Sequence, residues 1–346
     1  MNQKNVLVLF GGCSPEHDIS MASASGVIRY MDKYNVLPVC ITREGKWMLY
    51  DGKLDNLKNI DWEKFGTPAV LSPDRVNRGL LRIVGDKVKI LPVDAAFPVL
   101  HGENGEDGSI QGLCQLAGIP CVGCGVLASA VCSDKPMTKI IAESLGIPQA
   151  EYFVFKDEQL EHLDSVMKTV RYKLGYPCFV KPANAGSSIG ISVAGNKSEL
   201  REALNAAMIF SKKIIVERAV KGRELECGVF GAGAEIETSQ PGEIIPDGGF
   251  YDYDAKYVDN TKTVVRADIP KKTAEQIRKY AADIFRAVGG RGLARADFFL
   301  EESGRVVFNE INTMPGFTAI SMFSMMWEAS GITMQEMIDR LIEIAI

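Results

Sequence analysis

Five consecutive apolar residues, Val6-Leu-Val-Leu-Phe10, run directly into Gly11-Gly12. A strand with no polar face must be covered on both sides, as a central strand of a parallel sheet is when helices flank it. The run is shorter than the roughly 7–15 apolar residues of an export signal. Cys13 is therefore not read as a lipidation site, and the segment is expected to be a buried first strand. Without an export signal the chain belongs in the cytoplasm, and its eight cysteines are expected as reduced thiols.

The first third keeps alternating strand and helix signals. A helix is expected from about Ser20 to Met31 and a strand through Val36–Thr42. Another buried strand, Ala95–Leu100, ends at His101-Gly-Glu-Asn-Gly-Glu-Asp-Gly108, and a helix follows from Ser109 to Ala117 with Asp107 as its cap. This is the pattern of an open α/β domain, where ligands sit outside the carboxyl ends of strands. Gly11–Ser14 and His101–Gly108 fall there.

A small α+β unit is expected next. It has helices near Lys135–Leu145, Leu163–Leu174 and Ser198–Ile209, and strands at Tyr152–Phe155, Cys178–Val180 and Ile191–Val193. The last third opens with strands Ile214–Glu217 and Glu224–Phe230, followed by an irregular polar stretch, Ser239–Thr263, long enough to serve as a lid. Thr273 and Gln276 read as a capping box for a helix that ends at Gly289.

Composition removes several function classes. The 346 residues are 46% hydrophobic and 24% charged, which excludes a disordered chain. No apolar run approaches the roughly 18 residues of a membrane helix. A net charge of −5 without a basic stripe disfavours nucleic acid as a partner. Cys121-x-x-Cys124, flanked by Cys114 and Cys132, fits no common zinc spacing and reads as small buried thiols around a turn. His17, His101 and His162 are too scattered to complete a metal site.

The strongest chemical signal is a hairpin. Leu293–Leu300 and Val306–Asn312 flank Glu302-Ser-Gly-Arg305, and pairing Glu301 with Val306 sets Asp297 opposite Glu310. Alternation then places Arg295, Asp297 and Phe299 on one face with Phe308, Glu310 and Asn312. Two opposed carboxylates repel, and a hard cation sharing them with an amide oxygen and phosphates removes the conflict. An exposed polar hairpin with Arg295 as counter-ion is the plainer alternative. A second signal is Lys181 before the Gly/Ser loop Ala183–Gly190, which offers N–H groups, hydroxyls and a cation to phosphate; a tight turn with a solvated lysine is equally compatible. No Walker loop occurs, and Gly123-x-Gly-x-x-Ala128 is a weak match to the dinucleotide fingerprint. Glu217, Glu224 and Glu226 suit hydrogen bonds to an adenine amine and ribose hydroxyl, or are merely solvated. Lys256-Tyr257 suits a lid.

In this order, these segments resemble the D-alanine–D-alanine ligase family of the ATP-grasp superfamily. The matching segments are Leu9–Ser20, His101–Gly108, Asp134-Lys135, Val180-Lys-Pro182 with Gly186–Gly190, Glu224–Glu226, Phe250–Tyr257, Arg295–Asp297 and Asn309–Thr318. The resemblance implies an ATP-grasp fold of three domains. These are an open α/β domain (1–127), a central α+β domain (128–217) and a C-terminal domain (218–346), with nucleotide between the last two.

It also implies a reaction: ATP phosphorylates the carboxylate of one D-alanine, and the amine of a second attacks the acyl phosphate. By family position, Lys135, Lys181 and Ser188 hold phosphates, Glu217, Val220 and Glu224 hold adenine and ribose, and Asp297, Glu310 and Asn312 hold two Mg²⁺ (or Mn²⁺). Glu16 takes the first ammonium beside His101. Ser187 and Tyr257 complete a triad with Glu16, and Lys256 neutralises the transferring phosphate. Arg295 and the Gly316 N–H stabilise the oxyanion, and Ser321 binds the second carboxylate. A cytoplasmic homodimer with small-molecule substrates is implied.

The chain departs from the family pattern at Ser133, Ala185 and Ser324, none of which removes a charged or liganding group. Ser324 and Met322 bear on the acceptor, so D-serine and D-lactate ligases stay open as relatives. A histidine marks the lid of lactate-forming relatives, and none occurs after His162. An inactive nucleotide-binding regulator is expected to have lost a metal ligand or a phosphate lysine, and all are present.

Overall fold

The computed structural model describes residues 3–346 apart from 53, 55, 56, 185, 187, 188, 246–261 and 319. Three sheets organise the chain. The first has seven strands: β1 (Asn5–Gly11), β2 (Asn35–Ile41), β3 (Trp47–Leu49), β4 (Thr67–Leu71), β5 (Gly79–Val84), β6 (Lys87–Pro92) and β7 (Ala95–Val99), in the order β6-β5-β4-β3-β2-β1-β7. β1 runs parallel to both β2 and β7. Helix α1 (His17–Ile28) follows β1, the one-turn α2 (Trp62–Phe65) precedes β4, and α3 (Ser109–Ala117) follows β7.

The apolar run behaves as expected. Val6, Val8 and Phe10 pack with Met21, Ala24 and Val27 of α1 on one face, while Leu7 and Leu9 pack with Cys114 and Ala117 of α3 on the other. Gly11 then turns the chain at φ +85°, and a Cβ there would lie 2.3 Å from the Ile41 carbonyl oxygen, so only glycine fits. Gly108, not Asp107, occupies the N-cap position of α3, but the Asp107 carboxylate accepts the Ser109 N–H at 2.9 Å.

Helices α4 (Val126–Ser133) and α5 (Lys135–Ser144) lead into a four-stranded antiparallel sheet. Its elements are β8 (Tyr152–Lys156), α6 (Asp157–Leu160), α7 (Leu163–Lys173), β9 (Cys178–Pro182), β10 (Ser192–Ala194), α8 (Lys197–Met208) and β11 (Lys213–Arg218), with strand order β10-β9-β11-β8. Helix α4 crosses the boundary expected at 127/128. The buried faces of α4 and α5, with Ala128, Cys132 and Ala142, join the core of the third sheet.

The third sheet contains β12 (Gly222–Ala232), β13 (Glu235–Thr238), β14 (Gly242–Ile245), β15 (Lys262–Val264), β16 (Arg291–Glu301) and β17 (Val306–Asn312), with α9 (Lys271–Ala287), α10 (Met322–Ala329) and α11 (Met334–Ala345). Its order is β15-β14-β12-β16-β17, with β13 beside β12. Strands β14 and the start of β15 lie inside Ser239–Thr263, so that stretch is not irregular at its ends.

Two other expectations need correcting. Helix α9 starts at Lys271 after Pro270, without a side-chain cap, and Ala274 N–H bonds the Pro270 carbonyl. Thr273 therefore sits inside the first turn and forms no capping box. In the hairpin, Val306 pairs with Leu300 rather than Glu301, and a bulge beyond Phe298 restores the Asp297–Glu310 pairing. Phe308 consequently leaves the Asp297 face. It meets Phe298 edge-on at 5.8 Å in the core beneath α9.

Candidate active site

The C-terminal sheet presents one chemically loaded face. Glu226 of β12 pairs with Asp297 of β16, and Asp297 with Glu310 of β17; Arg295 pairs with Asn312. Alternation adds Glu224 and Phe299 to the same side. Ala294, Ala296, Phe298 and Leu300 point the other way, into the core. Asp297 and Glu226 are buried. Arg295 holds Asp297 through two contacts of 2.7 Å and lies 3.3 Å from Glu226. The Asn312 side-chain oxygen accepts the Met314 N–H, which fixes the strand's exit.

Helix α5 and the central sheet bring lysines to this face. Asp134 caps α5 by accepting the Met137 N–H and is clamped by Lys213 at 2.5 Å. The Lys135 N–H bonds the Ala183 carbonyl, tying the helix start to the loop after β9. Lys135 Nζ reaches Glu310 at 3.5 Å. Lys181, on β9, donates to Asn309 at 3.2 Å and contacts Glu217 at 2.5 Å. The other Glu217 oxygen contacts Lys139 at 2.5 Å. Burial pushes the Glu217 carboxyl up, but the two ammonium groups overcome it and hold the group down at about 2. Burial opposes the charge on Lys181, yet Glu217 and Glu310 raise its pKa.

A second cluster forms where β1 and β7 end. The Ser14 hydroxyl donates to the His101 carbonyl at 2.7 Å and accepts the Glu16 N–H at 3.2 Å. This brings the buried Glu16, at the start of α1, beside buried His101. His101 Nε2 lies 3.2 Å from the Ser23 hydroxyl, and Nδ1 lies 3.6 Å from Glu106. Gly186 brings the glycine loop after β9 over these acids: a Cβ there would lie 3.5 Å from Glu16 Oε2 and 3.8 Å from Glu106 Oε2.

The segment after β17 closes back on this cluster. Phe317 packs edge-on to Phe97 of β7, and a Cβ on Gly26 of α1 would lie 2.7 Å from the Phe317 carbonyl oxygen. The Ser321 hydroxyl accepts the Thr318 N–H at 3.1 Å and lies 2.9 Å from where a Gly316 Cβ would stand. Val220 lies half-buried between β11 and β12. Ser187, Ser188, Lys256 and Tyr257 lie outside the described residues.

Thus Lys135, Lys181, Glu217, Arg295, Asp297, Glu310 and Asn312 share one region. Glu16 and His101 share another, reached by the same glycine loop. The motif reading missed Lys139 and gave Asn309, the first residue of the segment Asn309–Thr318, no role. Lys139 stands four residues after Lys135 on α5, so helical spacing could have flagged it. The side to which Asn309 points had no signal, because it depends on the bulge. All eight thiols are free, and burial raises Cys124 to about 12, leaving it inert.

Two family models match the chain. The family described as "D-ala D-ala ligase N-terminus" matches residues 5–124 and "D-ala D-ala ligase C-terminus" matches residues 141–343. The D-alanine--D-alanine ligase of Acetivibrio thermocellus is 47% identical, covering 100% of this chain and 96% of its own. That of Caldicellulosiruptor bescii is 45% identical at the same coverage. Among solved structures, the VanG D-Ala:D-Ser ligase from Enterococcus faecalis superposes with a TM-score of 0.91 at 38% identity, covering 100% of both chains. The D-alanine-D-alanine ligase from Coxiella burnetii gives 0.86 at 32% identity, covering 99% of this chain and 95% of that one.

Proposed function

The chain belongs to the D-alanine–D-alanine ligase family and has its ATP-grasp architecture, and on that premise we propose that it joins two D-alanines at the expense of ATP. One carboxylate is phosphorylated to D-alanyl phosphate, the second amine attacks, and D-alanyl-D-alanine leaves as a peptidoglycan precursor. The observation that carries this reading is the convergence of Lys135 and Lys181 on the face holding Asp297 and Glu310. Phosphoryl transfer needs positioning and charge neutralisation above all.

Asp297, Glu310 and the Asn312 side chain supply only oxygen donors on that face, a set suited to Mg²⁺ or Mn²⁺. A divalent ion held there supplies neutralisation of the phosphate oxygens. Lys135 and Lys181 hold the phosphates with Ser188, while Glu217, Val220 and Glu224 hold adenine and ribose. Glu16 and His101 receive the first D-alanine, and Ser187 and Tyr257 secure the lid against Glu16. Lys256 neutralises the phosphate in transfer. Arg295 and the Gly316 N–H stabilise the tetrahedral oxyanion, and Ser321 takes the second carboxylate. A closed lid keeps water from the acyl phosphate.

The same reading places the enzyme in the cytoplasm as a homodimer. Eight free thiols support a reducing compartment. Among the described residues no helix is long and apolar enough to cross a membrane.

The test is an acceptor competition. Purified protein with ATP, Mg²⁺, D-alanine, D-serine and D-lactate should release phosphate and yield mainly D-alanyl-D-alanine by mass. No phosphate release with D-alanine and Mg²⁺ would sink the ligase reading. D-alanyl-D-serine as the main product would move the chain to the acceptor class of VanG.

A further inference from the structure

Lys139 lies outside the motifs, yet it is among the most deeply buried large side chains of the protein, 2% exposed. Its ammonium sits 2.5 Å from Glu217 Oε1, while Lys181 sits 2.5 Å from Glu217 Oε2. One carboxylate is thus shared between two cations, one on α5 and one on β9. Lys139 Nζ also stands 5.4 Å from the centre of the Tyr152 ring, which encloses it further.

The arrangement has an electrostatic consequence. Paired with Glu217 alone, Lys181 would form a nearly neutral ion pair, a poor attractor for a polyphosphate. Truncating one partner of a buried pair also leaves the other charge uncompensated. With Lys139 in place the three groups carry a net charge of +1. Resting on the nucleotide reading above, we propose that Lys139 is a positioning residue for the nucleotide: by occupying one oxygen of Glu217 it orients the other onto Lys181 and restores the positive field that Glu217 would otherwise cancel. Lys139 need not touch the ligand to do this.

Burial lowers the Lys139 pKa against the pull of Glu217, and both lysines hold the Glu217 carboxyl down at about 2. Burial weakens screening by solvent, so removing one charge from the trio is felt at the phosphates.

The competing account is a purely structural staple between α5 and β11. Binding of ADP and of inorganic tripolyphosphate separates the two, because tripolyphosphate carries charge without an adenine for Glu217 to contact. Lys139→Met should weaken both ligands roughly tenfold, with the D-alanine KM within about twofold of wild type. Lys139→Arg should restore binding. The double variant Lys139→Met/Glu217→Gln should bind tripolyphosphate more tightly than Lys139→Met alone, since the carboxylate that neutralises Lys181 is gone. If Lys139→Met does not fold, Lys139→Gln carries the same comparison.

Wild-type affinity in the folded Lys139 variant overturns the proposal, even if its melting temperature falls. A double variant no tighter than the single one also overturns it. If wild-type protein binds neither ligand, the nucleotide reading itself fails.

Discussion

Asp297 stands directly opposite Glu310 because Asn309 is an extra residue in β17. From the turn, Leu300 pairs with Val306 and the Glu301 N–H bonds the Arg305 carbonyl, a count that would set Asn309 across from Asp297. The bulge absorbs Asn309 and advances Glu310 by one position. Asn309 then meets Lys181 at 3.2 Å, and Glu310 meets Lys135 at 3.5 Å. Two consecutive residues of one strand therefore serve two lysines.

Asn309→Ala removes the amide that accepts from Lys181 while leaving the backbone able to bulge. One hydrogen bond to a charged donor is at stake. The KM for ATP should rise roughly two- to tenfold, with the D-alanine KM unchanged. Steady-state kinetics with each substrate varied in turn checks this. A rise confined to D-alanine would remove Asn309 from the nucleotide side.

Glu310→Gln keeps the shape of the side chain and deletes one of the two opposed carboxylates. Turnover should fall by about a hundredfold or more, and half-saturating Mg²⁺ should move to higher concentration. A Mg²⁺ titration at saturating ATP, with Mn²⁺ binding followed by electron paramagnetic resonance in parallel, reads both effects. Wild-type Mn²⁺ affinity would take Glu310 out of the cation site.

Gly316→Ala probes the second-substrate side. The added methyl would lie 2.9 Å from the Ser321 hydroxyl, which is also 2.7 Å from the Thr318 hydroxyl, so the serine must shift. The KM for the second D-alanine should rise about tenfold or more, with the ATP KM unaffected. An unchanged D-alanine KM would mean that Ser321 does not set the acceptor carboxylate.

How far the sequence discloses all this differs from residue to residue. Val6–Phe10 was legible because burial on both faces leaves no room for a polar residue. Asp297, Glu310 and Lys181 were legible as charged residues next to strands and glycines. The phase of β17 was not, since a bulge is decided by the whole ladder, and Phe308 went to the wrong face for that reason. Helical spacing puts Lys139 on the face of Lys135, but its burial is a tertiary fact: its partner, Glu217, is 78 residues away. The start of α9 was misplaced because Pro270, at φ −55°, launches the helix before Thr273 can cap it.

The Glu217 cluster also makes a pH prediction. Its carboxyl ionises at about 2 in the folded chain, against an ordinary value of 4.5. A lowered folded value means that ionised Glu217 contributes stability fully above about pH 4.5 and loses it progressively as pH falls toward 2. Glu217→Gln lacks that contribution at every pH and leaves two buried ammonium groups without their shared counter-charge. The difference in melting temperature between wild type and Glu217→Gln should therefore be largest at neutral pH and narrow below about pH 4.5. Other carboxylates protonate in both proteins, so the difference, not the absolute acid sensitivity, is the readout. A gap that stays constant from pH 7 to pH 2.5 would show that the two lysines do not hold Glu217 ionised.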